Sequence, residues 1–115
     1  MRKPDDRLRL RHMLETARKA AVFIQGRNRE DLDKDEILAL ALVRLLEILG
    51  EAAKGVSDEF RRKHSQIPWR LIAGTRDRLT HGYYDVNLDI VWTTVTEDLP
   101  PLIAELESLV PADRP

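Results

Sequence analysis

The sequence predicts an all-α fold, an up-and-down four-helix bundle with one additional short helix, and three observations carry that prediction. Apolar residues recur at helical spacing over long stretches, β-branched residues never gather into alternating runs bounded by turns, and stop and start residues separate the stretches. From Asp5, the positions Leu10, Met13, Leu14, Ala17, Ala20, Ala21 and Ile24 follow one helix face, and Gly26 supplies a left-handed stop. Gly26 to Leu32 reads as a loop. Asp33 can then cap a second helix from about Lys34, with Glu36 completing a capping box and Leu32 stapling onto Ile37. That helix runs to Gly55 and is apolar around most of its circumference, so neighbours must cover it on several sides. Ser57 can cap the short piece Asp58 to His64, and Pro68 suits the first turn of a third helix that ends at about His81, before Gly82. Asn87 or Asp85 opens the last helix, from Leu88 to Leu109, in which Pro100 and Pro101 force a kink or a restart. Short connections between four such helices make a bundle the simplest architecture.

The composition narrows the class of function. With 115 residues, 43% apolar and 34% charged, the chain reads as one folded domain over residues 1–115, with Pro111 to Pro115 as a frayed tail. No apolar run approaches the roughly 20 residues needed to cross a bilayer, and the start Met1-Arg2-Lys3-Pro4-Asp5-Asp6 has no apolar stretch behind it, so a cytoplasmic location is expected. The absence of cysteine removes disulfides, thiol catalysis and thiolate metal sites together. Charge is uneven along the chain: Lys54 to Tyr84 holds seven Lys or Arg against three acids, although the chain as a whole has a net charge of −1.

Three histidines, His12, His64 and His81, fall in no spacing that would put two ligands on one helix face, so neither a metal nor a cofactor is expected. Glycine-rich phosphate loops and a Gly-flanked nucleophilic serine are missing as well. Chemistry concentrates instead in Arg76-Asp77-Arg78-Leu79-Thr80-His81-Gly82-Tyr83-Tyr84. On a continuous helix His81 would lie about 140° around and about 7.5 Å along from Arg76, close enough for both side chains to meet one phosphate. Asp77, four residues before His81, would accept a ring hydrogen bond and favour the imidazolium. A polar helix end with a capping histidine and surface arginines is the plainer alternative.

Arg44, Glu47, Glu51 and Lys54 form one polar stripe on the second helix, either a solvated strip of ion pairs or the border of a cleft that orients Arg76 or His81. Gly50 in mid-helix suggests a close helix approach. Trp69 and Trp92, on apolar faces, read as core or dimer anchors rather than base-stacking platforms, and Arg61, Arg62 and Lys63 as solvent-facing charges or contacts to an RNA backbone.

The spacing Arg76, four residues, His81, one residue, Tyr83 resembles the R-x4-H-x-Y motif of the HepT-like toxins of the HEPN ribonuclease superfamily. Its surroundings are similar too: Ile67-Pro68-Trp69-Arg70 upstream, His81 to Val86 across it, Asp89-Ile90-Val91-Trp92 downstream, and Arg44 to Ala52 on the second helix. Asp77 stands where the family more often has Asn. The resemblance spans nearly the whole chain and implies a HEPN-like homodimer whose two motifs face a shared cleft. It also implies metal-independent cleavage of RNA, with Arg76 and His81 catalytic and Asp77, Arg78, Thr80 and Tyr83 supporting. A nucleotidyltransferase antitoxin of the MntA type would transfer AMP to Tyr83. Chemically, His81 suits proton transfer at a ribose 2′-OH or the leaving 5′-oxygen, and Arg76 suits charge on a phosphorane. A non-catalytic helical dimer that binds RNA or the nucleotidyltransferase partner is the other reading.

Overall fold

The computed structural model describes residues 5–81 and 85–110, with Thr80 and His81 described by their backbone alone. Helix α1 (Asp6–Phe23) begins where the Asp5 carboxylate accepts the Leu8 amide at 3.1 Å, and its buried face is Leu10, Met13, Leu14, Thr16, Ala17 and Ala20. The chain turns at Gly26, whose φ of +72° places it in the left-handed region that glycine enters without a Cβ clash.

The stretch expected as a loop contains a further helical turn, α2 (Asp31–Lys34). Reciprocal bonds set it up: the Asn28 amide donates to the Asp31 carboxylate at 2.7 Å, and the Asp31 amide donates to the Asn28 side-chain oxygen at 3.2 Å. This turn absorbs Asp33. The cap of the central helix α3 (Glu36–Lys54) therefore falls to Asp35, whose carboxylate accepts the Leu38 amide at 3.0 Å, and the Asp33 box does not form. Nor does Ile37 staple onto Leu32, since Ile37 is 82% exposed and Leu32 is buried.

Helix α3 packs along α1 and buries Leu38, Leu42, Leu45, Leu46, Leu49 and Ala53. Beyond Gly55, Ser57 caps α4 (Asp58–Lys63) by accepting the Phe60 amide at 3.2 Å. The same serine gives its backbone N–H and its hydroxyl to the Asp6 carboxylate at 2.8 and 2.7 Å, tying α4 to the start of α1.

The third helix is not continuous to His81. It forms two short pieces, α5 (Trp69–Ala73) and α6 (Thr75–Leu79), with Gly74 between them and Pro68 as the cap rather than in the first turn. The Thr75 hydroxyl bonds back to the Leu71 carbonyl at 3.2 Å across the break. Both pieces lie against α3. The approach is close at Gly50, where a Cβ would stand 3.1 Å from the Ile72 carbonyl oxygen, which accounts for glycine in mid-helix. Helix α6 ends at Leu79 because that carbonyl is taken by the Asn87 amide at 2.6 Å. The next residues extend as β1 (Thr80–His81), paired antiparallel with β2 (Asp85–Val86), Thr80 opposite Val86 and His81 opposite Asp85. No run of β-branched residues announces so short a ladder.

Asn87 caps α7 (Leu88–Thr93), its side-chain oxygen accepting the Asp89 and Ile90 amides at 3.1 and 3.2 Å. A π-helical turn, Thr94–Asp98, leads into α8 (Leu99–Leu109), which carries Pro100 and Pro101 in its first turn. Those prolines lack the N–H groups that an α-helix would supply to the carbonyls of Thr96 and Glu97, and their rings press on the same carbonyls. The wider turn relieves that pressure, so the expected kink takes the form of a π-turn followed by a restart.

The bundle thus consists of α1, α3, the broken α5–α6 rod and the α7–π–α8 rod, with α4 as the additional short helix; α1 packs on both α3 and α8. Met13, Leu42, Leu46, Ile67, Leu79, Val91, Leu99 and Leu106 form its centre, each no more than 2% exposed. Among the described residues no helix is long and apolar enough to cross a membrane. The expected frayed tail, 111–115, lies outside the described residues.

Candidate active site

Helix α6 is barely one turn long, held from below by buried Thr75 and Leu79, and it presents Arg76 to solvent with its side chain 67% exposed. The Arg76 Nε lies 3.7 Å from Glu47 Oε2 on α3, and the other oxygen of that carboxylate is 3.8 Å from Arg44 Nη1. These are ion pairs rather than well-formed hydrogen bonds. Glu47, only 27% exposed, therefore stands between two guanidiniums. Along the polar stripe Glu47 pairs with Arg76 across to α6, whereas Glu51 pairs with Lys54 at 3.8 Å within α3.

Arg78 goes elsewhere. Two residues on a helix turn the side chain by about 200°, and the Arg78 Nη2 donates to the Leu71 carbonyl at 3.5 Å and the Thr75 hydroxyl at 3.4 Å. It thus lines a cleft of about 270 Å³ between α5–α6 and the start of α8, with Leu49, Ile72 and Leu102. The two arginines of the motif serve different faces. Asp77 is exposed, and its carboxylate has no hydrogen bond or ion pair among the described residues. Its expected helical relation to His81 does not apply, because the helix stops at Leu79 and His81 belongs to β1.

The ladder fixes the backbone of His81 two residues beyond the fully buried Leu79, so its Cα is anchored to the bundle although it lies outside any helix. The side chains of Thr80 and His81, and Gly82, Tyr83 and Tyr84 entirely, lie outside the described residues. Of the other histidines, His12 is exposed on α1, and His64 stacks on Phe60 with ring centres 4.2 Å apart. Trp69 is buried, its indole N–H donating to the His64 carbonyl at 3.0 Å, and Trp92 packs half-buried against the core. Both tryptophans are anchors of the fold. No group of three His, Asp or Glu that could hold a metal occurs among the described residues.

The coverage expected for the central helix is incomplete within one chain. Ile37 and Leu40 are 82% and 58% exposed, and they share the open side of α3 with Arg44, Glu47 and Glu51. Sequence reasoning missed Arg70, which the α5 turn brings to the same groove as Arg61 and Arg62 of α4. Only the packing of α4 against α5 joins those residues, and no spacing along the chain signals it.

The family model described as "Ribonuclease HepT-like" matches residues 13–109, from the middle of α1 to the end of α8, with Arg76 to Tyr83 inside the match. "Putative RNase TTE0752" of Caldanaerobacter subterraneus is 40% identical over 105 residues, 91% of this chain and 94% of that protein. "Probable ribonuclease HepT" of Thermococcus cleftensis is 44% identical over 80 residues, 70% of this chain and 73% of that one. "Putative RNase MJ0127" of Methanocaldococcus jannaschii is 34% identical over 110 residues, 96% and 91% of the two chains. No solved structure matches the sequence at a significant level. With a helical bundle, a family model that matches most of the chain and relatives that align over most of their own length, the chain belongs to the HepT-like ribonuclease family.

Proposed function

We propose that this protein is the toxin of a toxin–antitoxin pair, a metal-independent endoribonuclease that acts as a homodimer in the cytoplasm. The observation that carries the reading is the pairing of exposed Arg76 with Glu47 on the open side of α3, beside the ladder that anchors His81. Two copies meeting on that side would cover Ile37 and Leu40 and bring two motifs into one cleft. One His81 then removes the proton of a ribose 2′-OH as its oxygen attacks the adjacent phosphorus. Arg76 balances the charge of the phosphorane, and the second copy's histidine protonates the leaving 5′-oxygen. A cyclic 2′,3′-phosphate and a free 5′-hydroxyl result, with both protons accounted for.

The partner in this reading is a nucleotidyltransferase antitoxin of the MntA type, which silences the toxin by transferring AMP to the Tyr83 phenol. The phosphodiester adds charge and bulk two residues past His81 in the chain, and its chemistry resembles that of the substrate phosphate. Purified protein should cut RNA equally with and without EDTA; cleavage that EDTA abolishes would refute the metal-free mechanism, and no cleavage would favour a non-catalytic dimer. Mass spectrometry after co-expression should find AMP on Tyr83, and Tyr83→Phe should still cut RNA but escape the antitoxin.

A further inference from the structure

A groove runs between α4 with the end of α3 on one side and α5 with the start of α6 on the other, enclosing about 860 Å³ open to solvent. Its apolar lining is Ile67, Pro68, Trp69, Leu71 and Ala73. Lys54, Arg61, Arg62 and Arg70 line its walls against only two carboxylates, Asp58 and Asp77, so it is locally positive in a chain of net charge −1. Part of that charge is spent within the fold: Arg61 pairs with Asp58 at 2.6 Å, and Lys54 stands 3.8 Å from Glu51. Arg62 and Arg70 are exposed and have no ion-pair partner among the described residues. Asp77, the residue after Arg76, also lines the groove.

The geometry points to this groove as the track of a single RNA strand, with Arg62 and Arg70 holding its phosphates and α6 delivering the strand to Arg76 and His81. The inference rests on the ribonuclease reading above and adds to it the path of the substrate. Guanidinium forks match the paired oxygens of a phosphate, and here two of them face a channel rather than a carboxylate. A channel lined by Asp77, the chain neighbour of Arg76, suits a strand that must reach the reacting bond, which an acidic protein docking on the surface would not require. Trp69 is 7% exposed with its N–H satisfied, so it offers no face for a base to stack on. Recognition in the groove is therefore of the backbone, tolerant of sequence and steeply dependent on salt.

The test uses the full chain with His81→Ala to stop cleavage, a fluorescent single-stranded RNA of about a dozen nucleotides, and anisotropy over a salt series. Arg62→Ala with Arg70→Ala should weaken binding at least about tenfold at low salt and flatten the plot of log affinity against log salt by about 1.4, since each phosphate contact on a single strand contributes about 0.7. Lys19→Ala with Lys34→Ala, which removes two exposed cations of α1 and α2, should change neither quantity. With His81 restored, the Arg62 and Arg70 pair should raise KM several-fold and leave kcat nearly intact. Tight RNA binding with an unaltered salt slope in that pair overturns the groove and leaves the ribonuclease reading standing. Loss of antitoxin binding in the pair while RNA binding persists overturns the groove in favour of an acidic protein surface. An unmodified chain that neither binds nor cuts RNA overturns both.

Discussion

Glu47 is the residue of α3 that pairs with Arg76. Because its ion pair with Arg76 is 3.7 Å long and two-thirds of the Arg76 side chain is exposed, the pair stabilises the fold by well under about 1 kcal/mol. Arg76→Ala should therefore abolish RNA cleavage while the thermal midpoint moves by no more than about 2 °C, and His81→Ala is expected to do the same; a parallel loss of stability would mark the pair as a structural cap. Glu47→Gln keeps the size of the side chain and removes its charge. It should lower kcat about three- to tenfold with KM and the midpoint unchanged, because the guanidinium is left less well aimed while its own charge remains. In the sequence Arg76 was singled out by the resemblance of its spacing to His81 and Tyr83 to a family motif. The divergence of Arg78 was not legible there, because it depends on how the one-turn helix α6 is rotated on α3, and packing decides that rotation.

Among the elements, α1, α3 and the last rod follow directly from apolar spacing, and the caps at Ser57 and Asn87 are ones that the sequence offers. The third rod departs from its expected form because its geometry is set from outside. Gly50 lets α3 come so close that an added Cβ would stand only 3.1 Å from the Ile72 carbonyl oxygen, and the rod breaks at Gly74 just beyond that contact. An alanine at position 50 would gain about 1 kcal/mol of helix propensity, yet its methyl group would push on backbone that Trp69 and Ile72 hold in the core. Gly50→Ala should therefore lose roughly 1 kcal/mol net in urea denaturation, and cleavage should fall as α6 is displaced. A stabilised and fully active variant would show that α5 can yield.

At the scale of the whole molecule, one chain leaves the apolar end of the open side of α3 in water. Ile37 and Leu40 together with Arg44 and Glu47 form an interrupted stripe that a second copy of itself could meet across a two-fold axis. Light scattering at micromolar concentration should give twice the 13.3 kDa mass of the chain. Leu40→Glu should give monomers that stay folded but do not cut RNA, because a two-proton mechanism has then lost one imidazole. The sequence showed the excess of apolar surface on the central helix, while the side left over became visible only once α1, α5 and α6 had taken theirs.

The attachment of α4 has a consequence for hydrogen exchange. None of its six residues is buried, and the Asp6 carboxylate, reaching across 51 positions of chain to Ser57, secures one end while half-buried Phe60, edge-on to Trp69, secures the middle. Such a helix opens locally at far less cost than the bundle unfolds, so its amides should exchange orders of magnitude faster than those of α3. Asp6→Asn should quicken that exchange further without speeding exchange in α3. Since α4 carries Arg61 and Arg62, a bound RNA strand should slow it, and protection of Phe60 to Lys63 would then report occupancy of the groove in a protein whose catalysis has been switched off.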